Sequence, residues 1–439
     1  VRLVSSPLKH AQLHVPLLWL STLVAVLLWQ RSARAGNDDG VLIGSQAALT
    51  GGAVTATISD GSAAWYNPAG LAQMDRQALD INASVYGMNR YSANNLFTLP
   101  DGTQAGASVI DWVLVPSALS YTRELNKRLV GSFGVFIPHT TDLDLRTSVA
   151  DANGQQWVFG VDQVNNEYNY ILSFGIRLSN TLRIGIAIHG IYASQENMTQ
   201  VGFGTNGDMS APFLNSSVHT TRGDYAARIG LGVQWDPSPL LKLGFSVQTP
   251  TLTAFRNIAE YNLGSLFSPE ATGFNFEKKE GLKSVWELSA PLVMRAGLAC
   301  SVEKVQLLLD GSVVSKLDSS EDDLDRKWAG NARIATMWQA TERITGSLGL
   351  FTDFNGARPV NPDFVGIAGG VRIATDHKLA DGHRLLTFLT TLGARYAYGF
   401  GHTEGLRFVN DGSEVTVESQ RVAIHAHEVA LNLGGGVTF

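Results

Sequence analysis

The chain has 439 residues, 44 % of them hydrophobic and 16 % charged, with a formal net charge of −6. Its one cysteine, Cys300, excludes an intramolecular disulfide framework and a cysteine-based metal cluster, and the acidic balance argues against a nucleic-acid partner. Beyond residue 35 no apolar stretch reaches the roughly 18 residues of a spanning helix, while a mean hydropathy of +0.03 suits a barrel whose strands alternate apolar and polar positions.

Residues 1–35 read as a secretory signal peptide. Arg2 and Lys9 give a positive start, Pro16 to Trp29 an apolar centre, and Ser32-Ala33-Arg34-Ala35 small residues before Gly36. The centre is too short for a membrane span. Cleavage after Ala35 removes Arg2, Lys9, Arg31 and Arg34; of 33 cations 29 remain against 39 acids, so the mature charge is −10.

Residues 36–76 do not alternate. They are rich in glycine, alanine and serine, and Asn67-Pro68 marks a turn. Such a segment belongs somewhere other than a lipid-facing wall.

From residue 77 onward period-two patterning recurs. Tyr168, Tyr170, Leu172, Phe174, Ile176 and Leu178 oppose Asn169, Ser173, Gly175 and Arg177; Tyr225, Ile229, Leu231, Val233 and Trp235 oppose Asp224, Arg228 and Gln234. Fourteen strands are predicted near 77–91, 111–123, 129–147, 157–178, 182–200, 221–235, 240–256, 284–300, 305–316, 326–339, 343–353, 364–375, 384–400 and 421–439. Tight links (124–128, 179–181, 236–239, 301–304, 340–342) alternate with long ones (91–110, 201–220, 257–283, 354–363, 401–420). Short periplasmic turns and long external loops are the outer-membrane pattern. A soluble sandwich also alternates, but lacks that loop rhythm. The fold class expected is therefore all-β: a transmembrane antiparallel barrel of about fourteen strands, residues 77–439, with residues 36–76 as an N-terminal hatch in its lumen.

Two long loops are unusually apolar. One carries Phe203, Met209, Phe213 and Leu214; the other carries Ile258, Tyr261, Leu263, Leu266, Phe267, Phe274 and Phe276. Ile258, Tyr261 and Leu266 lie near helical spacing, so a helical turn presenting a greasy face is predicted there, with packing of these residues on one another as the alternative. The inward faces carry Arg177, Arg183, Arg228, Arg295, Arg333, Arg372 and Arg395, with Glu287, Asp310 and Glu428 as candidate partners. Arg177, Arg183, Arg228 and Arg333 are candidates to hold a ligand carboxylate, although pairing between hatch and wall accounts for most such cations.

No nucleophile elbow or H-E-x-x-H run occurs, so no enzyme is expected. His425 and His427 share a strand face but lack further ligands for a metal. The acidic stretch Asp318, Glu321, Asp322, Asp323 and Asp325 lacks the spacing of a calcium loop. Neither a metal nor a cofactor is expected. The last strand places Leu431, Leu433, Val437 and the terminal Phe439 at alternate positions, which resembles the recognition signal of the barrel-assembly machinery.

The segment Gly52-Ala53-Val54, Asp60, Asn67-Pro68-Ala69-Gly70-Leu71 and Met74-Asp75-Arg76 resembles the amino-terminal hatch of the FadL/TodX family. Looser likeness runs through Pro116 to Tyr121, the run ending at Pro138, and residues 349–360. The resemblance implies a fourteen-stranded barrel plugged from the periplasmic side. It also implies a gate at Asn67, Pro68, Ala69 and Gly70 beside a lateral opening near a kinked early strand, and a capture groove in the apolar external loops. The function implied is passive uptake of a hydrophobic small molecule, such as a long-chain fatty acid or hydrocarbon, with outer-membrane lipid and lipopolysaccharide as surroundings. The PorV-type subunits of protein secretion share a similar Tyr66-Asn67-Pro68-Ala69-Gly70 opening, so a shuttle or scaffold role is the alternative.

Overall fold

The computed structural model describes residues 42–439 except 75–76, 115–116, 206–212, 269–270, 318–325, 355, 357–360, 379–384 and 411–414. Residues 1–35, expected to be a signal peptide, Met209 and the acidic stretch from Asp318 to Asp325 lie outside the described residues.

Two short helices, α1 (Ser45–Thr50) and α2 (Ala63–Tyr66), and a 3-10 helix (Pro68–Gln73) precede seventeen strand segments. These are β1 (Ala78–Thr98), β2 (Gln104–Leu114), β3 (Ala118–Asn126), β4 (Leu129–Ala150), β5 (Gln155–Arg177), β6 (Leu182–Thr205), β7 (Phe213–Ser238), β8 (Leu241–Gln248) and β9 (Thr251–Ser268). They continue with β10 (Ala271–Ala290), β11 (Val293–Val302), β12 (Val305–Val314), β13 (Ala329–Gln339), β14 (Ile344–Asp353), β15 (Asn361–Lys378), β16 (Leu385–Asn410) and β17 (Val415–Thr438).

The sheet closes on itself. β17 pairs antiparallel with β1 from Ala78↔Thr438 to Ala93↔Ile424, and below that pair Gln77 and Phe439 exchange backbone hydrogen bonds of 3.2 and 2.9 Å. Closure joins the first strand to the last, as a barrel in lipid requires. Both ends of the wall meet on the side of the tight turns.

Seventeen segments make fourteen staves, because three staves are interrupted. β2 and β3 continue one register along β1, Tyr86↔Leu114 above and Asn82↔Ala118 below. β8 and β9 lie successively along β7, and β10 and β11 along β9 and β8. Each interruption contains a proline in sequence: Pro116, Pro250 and Pro291. Proline has no N–H to donate, so a ladder lapses where it falls within a strand.

The outer face shows why the alternation exists. On β7, Tyr225, Ile229, Leu231, Val233 and Trp235 are exposed, whereas Asp224 and Gln234 are fully buried. Tyr225 and Trp235 stand ten positions apart; at about 3.3 Å per residue and a tilt near 40°, that is roughly 25 Å along the barrel axis, the height of a lipid-facing band. Tyr168, Tyr192 and Tyr225 carry an aromatic girdle across β5, β6 and β7 at centroid spacings of 6.4 and 5.1 Å. The exposed outer band makes the barrel a transmembrane one.

Several segments expected as long loops are strand instead. β1 and β2 continue past residue 91 to a tight turn at Leu99–Thr103, and β16 and β17 reach to 410 and back from 415. The helical turn predicted around Ile258 and Tyr261 is absent: β9 and β10 form a hairpin with Ile258↔Gly281 and Tyr261↔Lys278 in register. Above the lipid neither face of a strand must be apolar, so alternation fades while backbone pairing continues.

Candidate functional site

Residues 42–74 fold inside the barrel, and nearly all are buried. A coil in a dry lumen must satisfy its backbone groups, and inward wall residues do this. Asp310 on β12 accepts from the Val54 and Thr55 N–H groups at 2.9 and 2.7 Å. Ser246 and Gln248 on β8 donate to the Tyr66 and Trp65 carbonyls at 2.7 and 2.6 Å. Ser347 on β14 donates to the Leu49 carbonyl at 2.7 Å. Within the hatch, the Tyr66 hydroxyl accepts from Ile43 N–H at 3.1 Å, and burial pushes its phenol up to about 12, so it stays a neutral hydroxyl at physiological pH.

Asn67 is the most connected residue of its motif. Its Nδ2 donates to the Thr55 carbonyl at 2.8 Å and to Val233 of β7 at 3.1 Å, while its Oδ1 caps Ala69 N–H at 3.2 Å. Pro68 starts the 3-10 helix, where a missing N–H costs nothing. Ala69 and Gly70 are fully buried behind it. The motif is seated where the wall lacks side chains: a Cβ at Gly185 would collide with the Pro68 carbonyl, and one at Gly232 with Asn67 Oδ1. Asn67 and Pro68 are thus seated on β6 and β7.

The lumen cations fall into distinct roles. Arg177 donates to the Ala72 carbonyl at 2.5 Å and also to that of Met74, tying the hatch exit to β5. Arg183 pairs with Asp236 at 2.8 Å near the tight turns. Arg228 lies 4.6 Å over the Trp65 ring, beside the fully buried His189. Arg333 donates to Ser312 at 3.2 Å and abuts Gly52 of the hatch. Arg256, which sequence reasoning passed over, joins Asp224 at 3.0 Å and Glu287 in a buried network on β7, β9 and β10.

Of the apolar external residues, those whose side chains are described lie on the β9–β10 hairpin. Ile258 and Tyr261 are three apart on one strand and so lie on opposite faces. Tyr261 stacks on His219 at 5.8 Å, and Lys278 lies 5.6 Å above its ring. Leu263, Phe274 and Phe276 are exposed on the same hairpin. Phe203, Phe213, Leu214, Leu266 and Phe267 lie on β6, β7 and β9, and their side chains are outside the described residues.

The three proline breaks differ in one respect. At Pro250, Thr249 Oγ1 accepts from Ile229 N–H at 3.0 Å, and at Pro291, Ser315 Oγ accepts from Leu292 N–H at 3.2 Å. Both patches keep the wall joined. At Pro116, Ile137 N–H still reaches the Ser117 carbonyl at 2.9 Å, and above that pair no ladder joins β2 to β4 among the described residues. Pro138 follows on β4, and its missing N–H falls on the β5 side, where that ladder shifts register between Phe136 and His139. Asp111 on β2 is buried beside this seam and accepts from Asn89 Nδ2 of β1 at 3.5 Å. The hatch core, with Ile58, Ala63 and Leu71, packs on Ala118 and Phe136 just below it.

At the extracellular end, Asp101 of the β1–β2 turn accepts from Thr103 N–H at 2.9 Å and from Ala152 N–H at 2.6 Å. These backbone bonds hold its carboxyl below the ordinary value. A lowered carboxylate pKa contributes stability present above the unfolded value, about 3.9, and lost as pH falls through the folded value. Amide exchange at Ala152 should therefore stay slow at neutral pH and accelerate only below that range. In Asp101→Asn the acid-induced acceleration should disappear; an unchanged pH profile would show that the clip does not form.

No protein-family model matches the chain, and no curated protein matches it either. Solved structures do. A Pseudomonas aeruginosa FadL homologue aligns with TM-score 0.57 and 10 % identity over 90 % of this chain and 97 % of that one. The CymD monoaromatic hydrocarbon channel gives 0.56 and 10 % over 90 % and 97 %, and the Ralstonia pickettii toluene transporter TbuX 0.54 and 12 % over 90 % and 98 %. With its closed wall, apolar outer band and buried amino-terminal segment, the chain is a transmembrane β-barrel with the fold of that FadL homologue and of the CymD and TbuX channels.

Proposed function

We propose that the chain is a passive channel for hydrophobic small molecules, such as long-chain fatty acids or hydrocarbons, and that it performs no chemistry on them. The observation that carries this reading is the unladdered seam between β2 and β4, directly above the hatch core. The named structural neighbours, hydrocarbon channels and a FadL homologue, support the ligand class.

Energetics favour the seam over the hatch as the way out. The hatch is tied to the wall by on the order of ten hydrogen bonds, each worth about 0.5–1.5 kcal/mol net, so ejecting it costs on the order of 10 kcal/mol. That is a population near one in ten million. Sliding sideways through the seam breaks no ladder and returns an apolar molecule to lipid, with burial worth about 0.8 kcal/mol per methylene at either end. In this reading Asn67, Pro68, Ala69 and Gly70 hold a floor that diverts the ligand. Leu263, Phe274 and Phe276, with the neighbouring strand ends, offer the outer capture surface. Of the four lumen cations proposed for a ligand carboxylate, Arg228 and Arg333 line the lumen beside the hatch, whereas Arg177 and Arg183 serve the periplasmic end.

Cells lacking the chain should take up labelled oleate or toluene several-fold more slowly, with exported proteins unchanged. Normal uptake with impaired protein export would instead support the PorV-type scaffold reading. Turnover of phospholipid or peptide by the purified barrel would establish an enzyme.

A further inference from the structure

The extracellular mouth holds an apolar assembly that passage through the seam does not require. β5 and β16 are the fourth and thirteenth staves, on different sides of the opening. Even so, Trp157 and Phe408 approach to 5.1 Å between ring centroids, and Phe159 lies 5.7 Å from Phe408. The three rings are buried, and the contact crosses the lumen.

The ring seated among them comes from outside the wall register. β1 leaves its antiparallel pairing with β2 between Ala93 and Phe97, Asn95 takes a positive φ of 73°, and the tip of β1 meets β16 in parallel, Phe97↔Leu406 and Thr98↔Arg407. The β1–β2 hairpin thereby carries Phe97 over the mouth, where it stacks on Phe159 at 4.0 Å with planes 8° apart. Beyond its backbone, side-chain bonds hold it at two points among the described residues: Gln420 Nε2 donates to the Asn95 carbonyl at 2.9 Å and meets Thr98 Oγ1 at 3.0 Å, and Asp101 provides the clip already described.

A phenylalanine side chain is toluene less one hydrogen. A position that receives this group face-on against Phe159, with Trp157 and Phe408 in the same buried cluster, has the quadrupole geometry for a planar apolar ring. We propose that Trp157, Phe159 and Phe408 form a capture site for aromatic hydrocarbons of one or two rings, and that Phe97 occupies it as a tethered competitor. A ligand binds when the hairpin lifts and yields its place. This deepens the channel reading and rests on it for the direction of transport, but the site itself is a property of the purified barrel.

A competitor that fills the slot lowers apparent affinity by the fraction of time the slot is free. Binding of radiolabelled naphthalene to the purified full-length barrel should tighten about tenfold in Phe97→Ala. Phe97→Leu, which keeps apolar bulk but loses the ring, should give a smaller gain and serves if the alanine variant fails to fold. In Phe97→Ala/Phe159→Ala the gain should vanish. Unchanged naphthalene binding in both Phe97 variants, or a gain that survives loss of Phe159, would overturn the proposal. Tighter binding in Phe97→Ala that needs Phe159 supports the slot even where cells lacking the chain take up hydrocarbons normally, an outcome that would sink only the channel reading.

Discussion

Returning a backbone N–H to β4 beside the seam, by Pro138→Val, should cut uptake of oleate or toluene at least about tenfold at unchanged surface abundance. Ile137 N–H points to Ser117, so the donor missing at Pro138 points the other way, to β5, where the ladder shifts register between Phe136 and His139. A regular β4–β5 ladder straightens β4 and lays its upper half along β2, with which it shares no ladder among the described residues. Each backbone bond formed there is worth about 0.5–1.5 kcal/mol net, so one or two must break for every passage, and about 1.4 kcal/mol is tenfold. Heat-modifiable migration should be retained, since β1–β3 and β3–β4 pairing is untouched. Undiminished uptake by the variant would remove the seam as the exit.

The fourteen staves were legible because lipid imposes a rule on every second residue; the predicted strands all coincide with observed staves. The hatch was legible by the lapse of that rule, and its Asn67-Pro68 turn by proline chemistry. What the inward residues do was not legible. Asn67 meets Val233 across 166 residues and Ser347 meets Leu49 across 298, and nothing local in the sequence encodes such pairs. Gly185 and Gly232 read simply as not lipid-facing, although their missing Cβ atoms seat Asn67 and Pro68. The pairing of Ile258 with Tyr261 on one helical face failed because a three-residue spacing in a hairpin puts residues on opposite sides. The mouth cluster did leave a signal that was passed over. Trp157 and Phe159 share the parity that carries Asn169 and Ser173 lower on β5, so aromatic residues there face inward, where polar ones are the rule.

Loosening the hatch should open a different route from the seam. Asp310→Ala deprives the Val54 and Thr55 N–H groups of their common acceptor, in a site where Asp310 is almost fully buried. A buried donor left unsatisfied costs about 1–3 kcal/mol, so the pair costs about 2–6 kcal/mol. Adding Asn67→Ala removes the bonds to Thr55 and Val233 and the cap on Ala69, by the same reasoning about 3–9 kcal/mol more. Together these offset much of the roughly 10 kcal/mol that holds the floor in place. The β12 ladder, Gly297↔Asp310 and Asp310↔Arg333, is backbone-borne and survives, so the barrel should still resist heat and detergent. The expected result is a leak: cells carrying the double variant should admit a small polar antibiotic at least tenfold faster than cells with the unaltered chain, while uptake of toluene through the seam persists. If the polar solute stays excluded at normal surface abundance, the hatch is not what closes the lumen, and if toluene uptake collapses instead, the hatch guides the ligand rather than merely flooring its path.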